Sequence, residues 1–194
     1  MEVDHLFICV QPGASEAEAL KAFGLTEGTH NRHPGQGTAN RRFFFHNAML
    51  ELLWLDGSGE AMNERTKPTR LWERCARRGQ HVSPFGICFR PKNPVTENAP
   101  FPVWRYRPTY LPDALSIEIG DGSPLSEPMW FFLSFGQRPD AYPQDRRQPL
   151  SHKVGLREIT AVRLSPLSPE DLSLPALAVV RKGCVSPGQV SSFL

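Results

Sequence analysis

The sequence of 194 residues predicts an α+β fold, and three observations support this prediction. The first 55 residues read as strand, helix, strand, strand, strand. The second half divides into short apolar segments separated by loops, and the 19 prolines favour turns and short strands over long helices. The composition, 40% hydrophobic and 22% charged, is that of a globular chain.

The first half can be assigned element by element. Residues 3–10 are apolar and rich in β-branched and aromatic side chains, which is typical of a buried strand. Ser15 and Glu18 form a capping-box pattern that begins a helix, and Gly24 is suited to end it. Three further strands are predicted at residues 25–30, 41–46 and 49–55.

The second half begins with a polar linker at residues 56–67 and a helix at 68–78, which has Pro68 in its first turn. Strands are then predicted at 85–89, 103–107, 115–119, 130–135, 157–164 and 176–180. A loop at 165–174, with a short helical turn at 169–171, separates the last two strands. Residues 184–194 are predicted to be frayed.

Charge, hydropathy and cysteine spacing exclude several classes of protein. The formal net charge of +2 gives no reason to expect nucleic acid as a partner. No segment approaches the roughly 20 apolar residues that span a bilayer, and the N-terminus lacks the pattern of a signal peptide. The four cysteines form no Cys-x-x-Cys pair. Reduced thiols in a cytoplasmic protein are therefore expected, with no membrane partner.

Glu51 and His5 are the candidates for chemistry. Glu51 is the charged residue of the apolar segment 49–55, and burying an unpaired carboxylate is costly. It either points into a cavity that holds a cation, or lies on a solvent face, or pairs with Arg41 or Arg42. His5 begins the first strand and is either a hydrogen-bonded structural residue or a ligand. The first and fourth strands of a strand-helix-strand-strand-strand unit can be neighbours in the sheet. In that case His5 and Glu51 lie close together.

Five other residues are candidates for binding a substrate: Asn40, Trp104, Trp130, Ser134 and His152. The side-chain amide of Asn40 can orient a carbonyl group. In the segment 130–135, alternation places Trp130 and Ser134 on one face and Phe131 on the other. One face is expected in the core, while the other lines an apolar pocket or is core as well.

Three short segments resemble the glyoxalase-like members of the vicinal oxygen chelate superfamily. They are Asp4-His5-Leu6 in the first strand, residues 33–40 before the third, and Leu50-Glu51-Leu52 in the fourth. The resemblance implies paired βαβββ modules that form a cupped, half-open mixed β-barrel. No helix is predicted between residues 90 and 130, so the second module is divergent.

The implied division of the chain is a first βαβββ module at residues 1–56, a linker and helix at 57–82, and a divergent second module with a C-terminal extension at 83–194. Together they are expected to form one compact domain, with a homodimer as an option.

The resemblance also implies a divalent metal ion, such as Zn, Ni, Fe or Mn, held by His5 and Glu51. Glu51 is then also the catalytic residue of a metal-dependent lyase, isomerase or dioxygenase that acts on a small carbonyl or aromatic compound. The positions expected to supply further ligands hold Ser134 and either Gly86 or Leu156, none of which is a good ligand. His152 supplies a third ligand only if its loop folds over the pocket.

Two alternatives stay open. In the first, the chain binds or sequesters a small molecule without metal or catalysis, and the poor second-module ligands favour this alternative. In the second, the chain is an interaction module that pairs with a copy of itself or with another chain through exposed sheet edges.

Overall fold

The structure is a computed structural model that describes residues 1–77, 79, 81–94, 96–164, 172–183 and 186–187. In these ranges the strands are β1 (Glu2–Cys9), β2 (Asn31–His33), β3 (Thr38–Phe44), β4 (Met49–Leu55), β5 (Phe85–Arg90), β6 (Val103–Tyr106), β7 (Ile117–Gly120), β8 (Met129–Phe132), β9 (Arg163–Leu164) and β10 (Ser186–Pro187). The helices are α1 (Glu16–Phe23), α2 (Leu71–Ala76) and α3 (Leu174–Arg181).

Eight strands form one mixed sheet in the order β2-β3-β4-β1-β5-β8-β7-β6. β1 runs parallel to β4 and β5 runs parallel to β8, while β1 and β5 are antiparallel neighbours at the centre. Read outwards from this central pair, the two halves of the sheet have the same connectivity. The sheet is not closed. The predicted α+β class is confirmed.

Strand alternation divides the apolar side chains between two faces of the sheet. On the inner face, Phe7, Cys9, Leu53, Cys88 and Phe131 belong to one core cluster. The outer face packs against helices, with α1 over the first half and α3 over the second. The inner face of the central strands is therefore the surface on which a site can form.

Several predicted elements have different bounds in the structure. Instead of a strand at 25–30, Glu27 forms one isolated bridge with Phe43, and β2 lies at Asn31–His33. The long strand predicted at 157–164 is reduced to β9. The helix predicted at 68–78 is shorter, because a 3-10 turn at Lys67–Thr69 precedes α2.

The strand predicted at residues 176–180 is wrong, because this segment belongs to α3. The side chain of Ser173 accepts a hydrogen bond from the Ala176 N–H and caps the helix, and a proline lies in its first turn. A short apolar run does not by itself distinguish a strand from a buried helix. At α1, Gly24 ends the helix in the left-handed conformation as predicted, but Ser15 makes no side-chain cap.

The helical turn predicted at 169–171 lies outside the described residues. So does the segment 184–194, apart from 186–187, which pair as β10 with β9. None of the helices in the ranges given above combines the length and the apolar character that a bilayer span requires.

Candidate functional site

The register of three strands brings polar side chains together on the inner face. Glu51 of β4 lies beside Phe7 of β1 and opposite Arg42 of β3. With His5 and Asn40 they line a cavity of about 170 Å³. The remaining lining residues are His33, Gln36, Met49, Leu53, Thr69, Leu71, Tyr106, Tyr110, Leu111, Ile117, Met129, Phe131, Leu133 and Phe135. The cavity therefore has a polar side from the first half and largely apolar walls from the second.

A β-bulge in β1 brings Asp4 beside His5. The pairing of β1 with β5 shifts register between Val3 and His5, so Asp4 is an extra residue in the strand. Neighbouring side chains of a regular strand point to opposite faces, but here Asp4 Oδ1 lies 2.6 Å from His5 Nδ1. The other carboxylate oxygen, Oδ2, accepts a hydrogen bond of 3.3 Å from Arg90 Nη1. Asp4 thus fixes the orientation of the imidazole.

His5 and Glu51 face each other across the cavity. Nε2 of His5 lies 3.7 Å from Oε2 of Glu51, and both residues are buried. The other oxygen of Glu51, Oε1, accepts a hydrogen bond of 2.5 Å from Nδ2 of Asn40. Asn40 is itself held by the Asn31 N–H, which donates to its Oδ1 at 2.8 Å. Both side chains therefore have one polar atom anchored to the fold and a second directed at the other.

The electrostatic surroundings favour a proton on His5. Burial by itself lowers the pKa of His5, but the hydrogen bond to Asp4 and the negative charges of Asp4 and Glu51 outweigh it. The pKa of His5 is consequently raised above its ordinary value. The positive charge of Arg42 opposes this rise.

Sequence reasoning included His33 only in the segment 33–40 that carries the family resemblance and did not predict it as a cavity residue. Its Nδ1 lies 2.9 Å from the Thr38 hydroxyl, which also accepts a hydrogen bond of 2.8 Å from Nε2 of Gln36. The ring of Tyr110 packs on His33 with a centroid separation of 4.9 Å. Burial lowers the pKa of His33. The sequence signal that could have placed His33 at the cavity is the tight turn between His33 and the strand of Asn40, because such a turn brings His33 beside that strand.

Of the five predicted substrate-binding residues, Asn40 is the one that lines the cavity, together with the predicted metal ligands His5 and Glu51. Trp130 and Ser134 lie elsewhere. Trp130 is buried on the outer face, where its Nε1–H donates to Glu127 Oε2 at 2.9 Å. Ser134 is exposed. In this segment the residues that line the cavity are Phe131, Leu133 and Phe135, and Phe131 lies on the opposite face of the strand from Trp130.

The other two predicted binding residues also lie away from the cavity. Trp104 packs on Tyr106, with ring centroids 6.2 Å apart, and borders a separate open hollow. His152 accepts a hydrogen bond of 2.9 Å from the Thr26 N–H through Nδ1, and its Nε2 lies 3.1 Å from the Phe44 carbonyl oxygen. The imidazole of His152 therefore ties a loop to β3.

Two sets of atoms have the chemistry of metal ligands. Ligand atoms of Asp4, His5 and Cys88 lie within 4.8 Å of one another and all three residues are buried, but Asp4 already engages His5 Nδ1. His5 Nε2 and Glu51 Oε2 form the second set. Metal–nitrogen and metal–oxygen bonds of about 2.1 Å each allow one ion to contact two atoms 3.7 Å apart. A carboxylate behind the ligating histidine, as Asp4 provides, is usual in such sites.

These features define an α+β protein whose sheet carries a cavity lined by buried polar side chains. More specifically, the chain belongs to the glyoxalase-like domain family, whose model matches residues 3–173. The family lies within the vicinal oxygen chelate superfamily, so the resemblance noted in the sequence is confirmed. No curated protein and no solved structure matches the chain.

Proposed function

We propose that the chain binds a small organic molecule in the cavity and acts on it as a metal-dependent lyase, isomerase or dioxygenase. The observation that carries this proposal is the approach of His5 Nε2 and Glu51 Oε2 to 3.7 Å inside a cavity with apolar walls. The cavity volume of about 170 Å³ suits a small compound. An engineered cavity of about 150 Å³ holds a benzene molecule.

In this proposal His5 and Glu51 hold a divalent ion such as Zn, Ni, Fe or Mn. When bound, the ion supplies Lewis-acid chemistry that polarises a carbonyl oxygen. Asp4 positions His5 and Asn40 positions Glu51, so neither ligand has to reorganise when the substrate enters. Oε2 of Glu51 is free of the Asn40 bond, so it is the atom that either ligates the ion or takes a proton from the substrate.

A second candidate function is binding without metal or catalysis. It is favoured by the small number of ligands, because catalytic zinc sites usually have three protein ligands. Over the described ranges, the one cluster of three or more potential ligands is Asp4, His5 and Cys88, which does not include Glu51. An ion held by His5 and Glu51 alone would need water or substrate at its remaining positions.

The common connectivity of the two sheet halves supports a related proposal about the chain's organisation. In this proposal residues 1–56 are the first βαβββ module, residues 57–82 are a linker and helix, and residues 83–194 are a divergent second module with a C-terminal extension. The divergence consists in the second half's connection between β5 and β6, where the described residues form no helix.

The test separates the two functions by metal content. Chelator-treated protein is titrated with Zn, Ni, Mn or Fe(II) by calorimetry, and we expect one ion per chain. His5→Gln and Glu51→Gln should weaken binding at least about tenfold, since each removes a ligand, whereas His30→Gln, an exposed histidine, should not. Small carbonyl and aromatic compounds are then screened by thermal shift, with and without the ion, and products are sought by mass spectrometry.

Three outcomes decide between the proposals. Metal-dependent product formation that is lost in both variants supports the enzyme. Ligand binding that is independent of metal and yields no product supports the second candidate. A protein that binds neither an ion nor any compound of the screen contradicts both.

A further inference from the structure

Arg42 is a half-buried cation in the cavity wall, held in place from one side. Its Nε donates to the Thr29 carbonyl oxygen at 2.8 Å, and its Nη2 donates to the Thr29 hydroxyl at 2.7 Å and to the His30 carbonyl oxygen at 3.5 Å. The guanidinium carbon lies 5.2 Å from the centre of the Phe44 ring. These contacts fix the plane of the guanidinium before any ligand arrives.

The charge of Arg42 has no ion-pair partner among the residues that the structure describes. The next arginine shows the contrast, because Arg41 lies on the other face and contacts Glu27 at 2.5 Å and Glu18 at 2.7 Å. The acid nearest to Arg42 in register is Glu51, but the two oxygens of Glu51 are directed at Asn40 and His5. Burial lowers the pKa of Arg42, in accordance with a positive charge that is incompletely compensated.

One nitrogen of the guanidinium has its donors available. Nε and Nη2 are used by Thr29 and His30, while Nη1 makes no hydrogen bond within the described ranges. A planar guanidinium with free N–H groups is suited to a carboxylate, and such charge-assisted hydrogen bonds are stronger than neutral ones. A carboxylate at this position would satisfy both the charge and the donors of Arg42.

We propose that Arg42 anchors the carboxylate of the ligand, so that the substrate class is small organic acids with an apolar body. The proposal rests on the proposed function, because it needs the cavity to bind a small molecule. Apolar side chains of the second half, such as Phe131 and Leu133, face the same cavity and accommodate the body of the acid. The volume of about 170 Å³ suits one ring or a short branched chain beside the carboxylate.

The test uses matched pairs of probes that differ in charge but hardly in shape: benzoate with benzamide, and isobutyrate with isobutyramide. Affinities for the wild-type protein are measured at pH 7 and constant ionic strength by ligand-observed NMR and calorimetry. We expect the carboxylate of a pair to bind at least about tenfold more tightly than its amide, since charge-assisted hydrogen bonds have this strength.

Three variants locate the preference. Arg42→Gln should reduce the carboxylate preference to about one, and Arg42→Lys should keep part of it because the charge remains. Arg32→Gln removes an exposed arginine from β2 and should leave the preference unchanged. The wild-type comparison of acid with amide stands even if a variant at Arg42 fails to fold.

The outcomes distinguish this inference from the proposed function. Equal binding of acid and amide, or a preference that survives Arg42→Gln, overturns the role of Arg42 but leaves the cavity as a binding site. Failure of all four probes to bind wild-type protein overturns both the carboxylate anchor and small-molecule binding in this cavity.

Discussion

At the scale of single residues, Asp4 contributes most to raising the pKa of His5 against the opposing effect of burial. The hydrogen bond of 2.6 Å between Asp4 Oδ1 and His5 Nδ1 and the charge of Asp4 both favour the imidazolium. In Asp4→Asn the charge is removed and burial dominates, so we expect the pKa of His5 to fall. An NMR titration of the His5 ring protons in chelator-treated protein measures the change. Asp113→Asn, which removes an exposed carboxylate, should leave the His5 titration where it is.

The same shift has a defined effect on stability. Because the pKa of His5 is raised on folding, its contribution to the free energy of unfolding is fully present below the ordinary value of 6.5. This contribution is lost as the pH rises through the folded pKa. The decline above pH 6.5 should therefore be weaker in Asp4→Asn than in wild type, as measured by urea unfolding at a series of pH values. An unchanged decline would show that Asp4 does not act through His5.

The residues of the site differ in how far the sequence predicts them. His5 and Glu51 stand out because each is a polar residue in an apolar strand, where burial has to be compensated. Asp4 does not, since adjacent residues of a regular strand point to opposite faces and only the bulge brings Asp4 to His5. The place of Arg42 in the cavity likewise cannot be predicted before the strand register is known. Without the register, Glu51 is equally compatible with a solvent face and with pairing to Arg42.

At the scale of elements, the close approach of β1 and β5 shapes the cavity. Gly86 of β5 lies opposite Phe7, and a Cβ at this position would overlap the Phe7 ring. Gly86→Ala should therefore push Phe7 into the cavity and lower the free energy of unfolding by about 1–3 kcal/mol. Gly120→Ala is the matched comparison, because its nearest atoms, at 3.2 Å, have to move much less than the Phe7 ring at 2.0 Å. Urea unfolding that ranks the two substitutions equally would contradict this account of the contact.

A buried carboxylate attaches α3 to the sheet. Glu127 is 2% exposed and accepts hydrogen bonds from Trp130 Nε1 at 2.9 Å and from the Ser173 N–H and hydroxyl at 2.7 and 2.6 Å. Glu127→Gln replaces an acceptor oxygen by an amide donor, so we expect a loss of about 1–3 kcal/mol in urea unfolding. Glu64→Gln, at an exposed glutamate, should cost at most about 0.5 kcal/mol. Equal losses would argue against this attachment.

The attachment also explains why α3 escaped prediction from the sequence. Its segment is short, apolar and rich in alanine and valine, and neither its length nor its period distinguishes helix from strand. The cap and the anchor that decide the matter involve Ser173 and Glu127, which are 46 residues apart. Strands β1 and β4 are different, because their local apolar pattern predicts them within two residues.

At the scale of the whole molecule, the two halves of the sheet meet only through β1 and β5 in the strand order. Arg90 lies at this junction and is 2% exposed. Its Nη2 donates to Glu2 Oε2 at 2.9 Å and to the Asn47 carbonyl oxygen at 2.8 Å, and its Nη1 donates to Asp4 Oδ2 at 3.3 Å. One side chain thus joins β1, β5 and the turn before β4, so the halves are expected to unfold together.

Replacing this residue tests the cooperativity of the fold. Arg90→Met removes the buried cation that contacts Glu2 and Asp4 Oδ2, and breaking a buried pair in this way costs about 3–5 kcal/mol. We expect one transition in urea, shifted to lower concentration, that coincides by far-UV circular dichroism and tryptophan fluorescence. Arg105→Met breaks an exposed pair with Glu118 and should cost at most about 1 kcal/mol. If the two halves depend on the shared central pair of strands, both have to unfold at once. Two separate transitions in wild type or in Arg90→Met would therefore show that the halves fold independently.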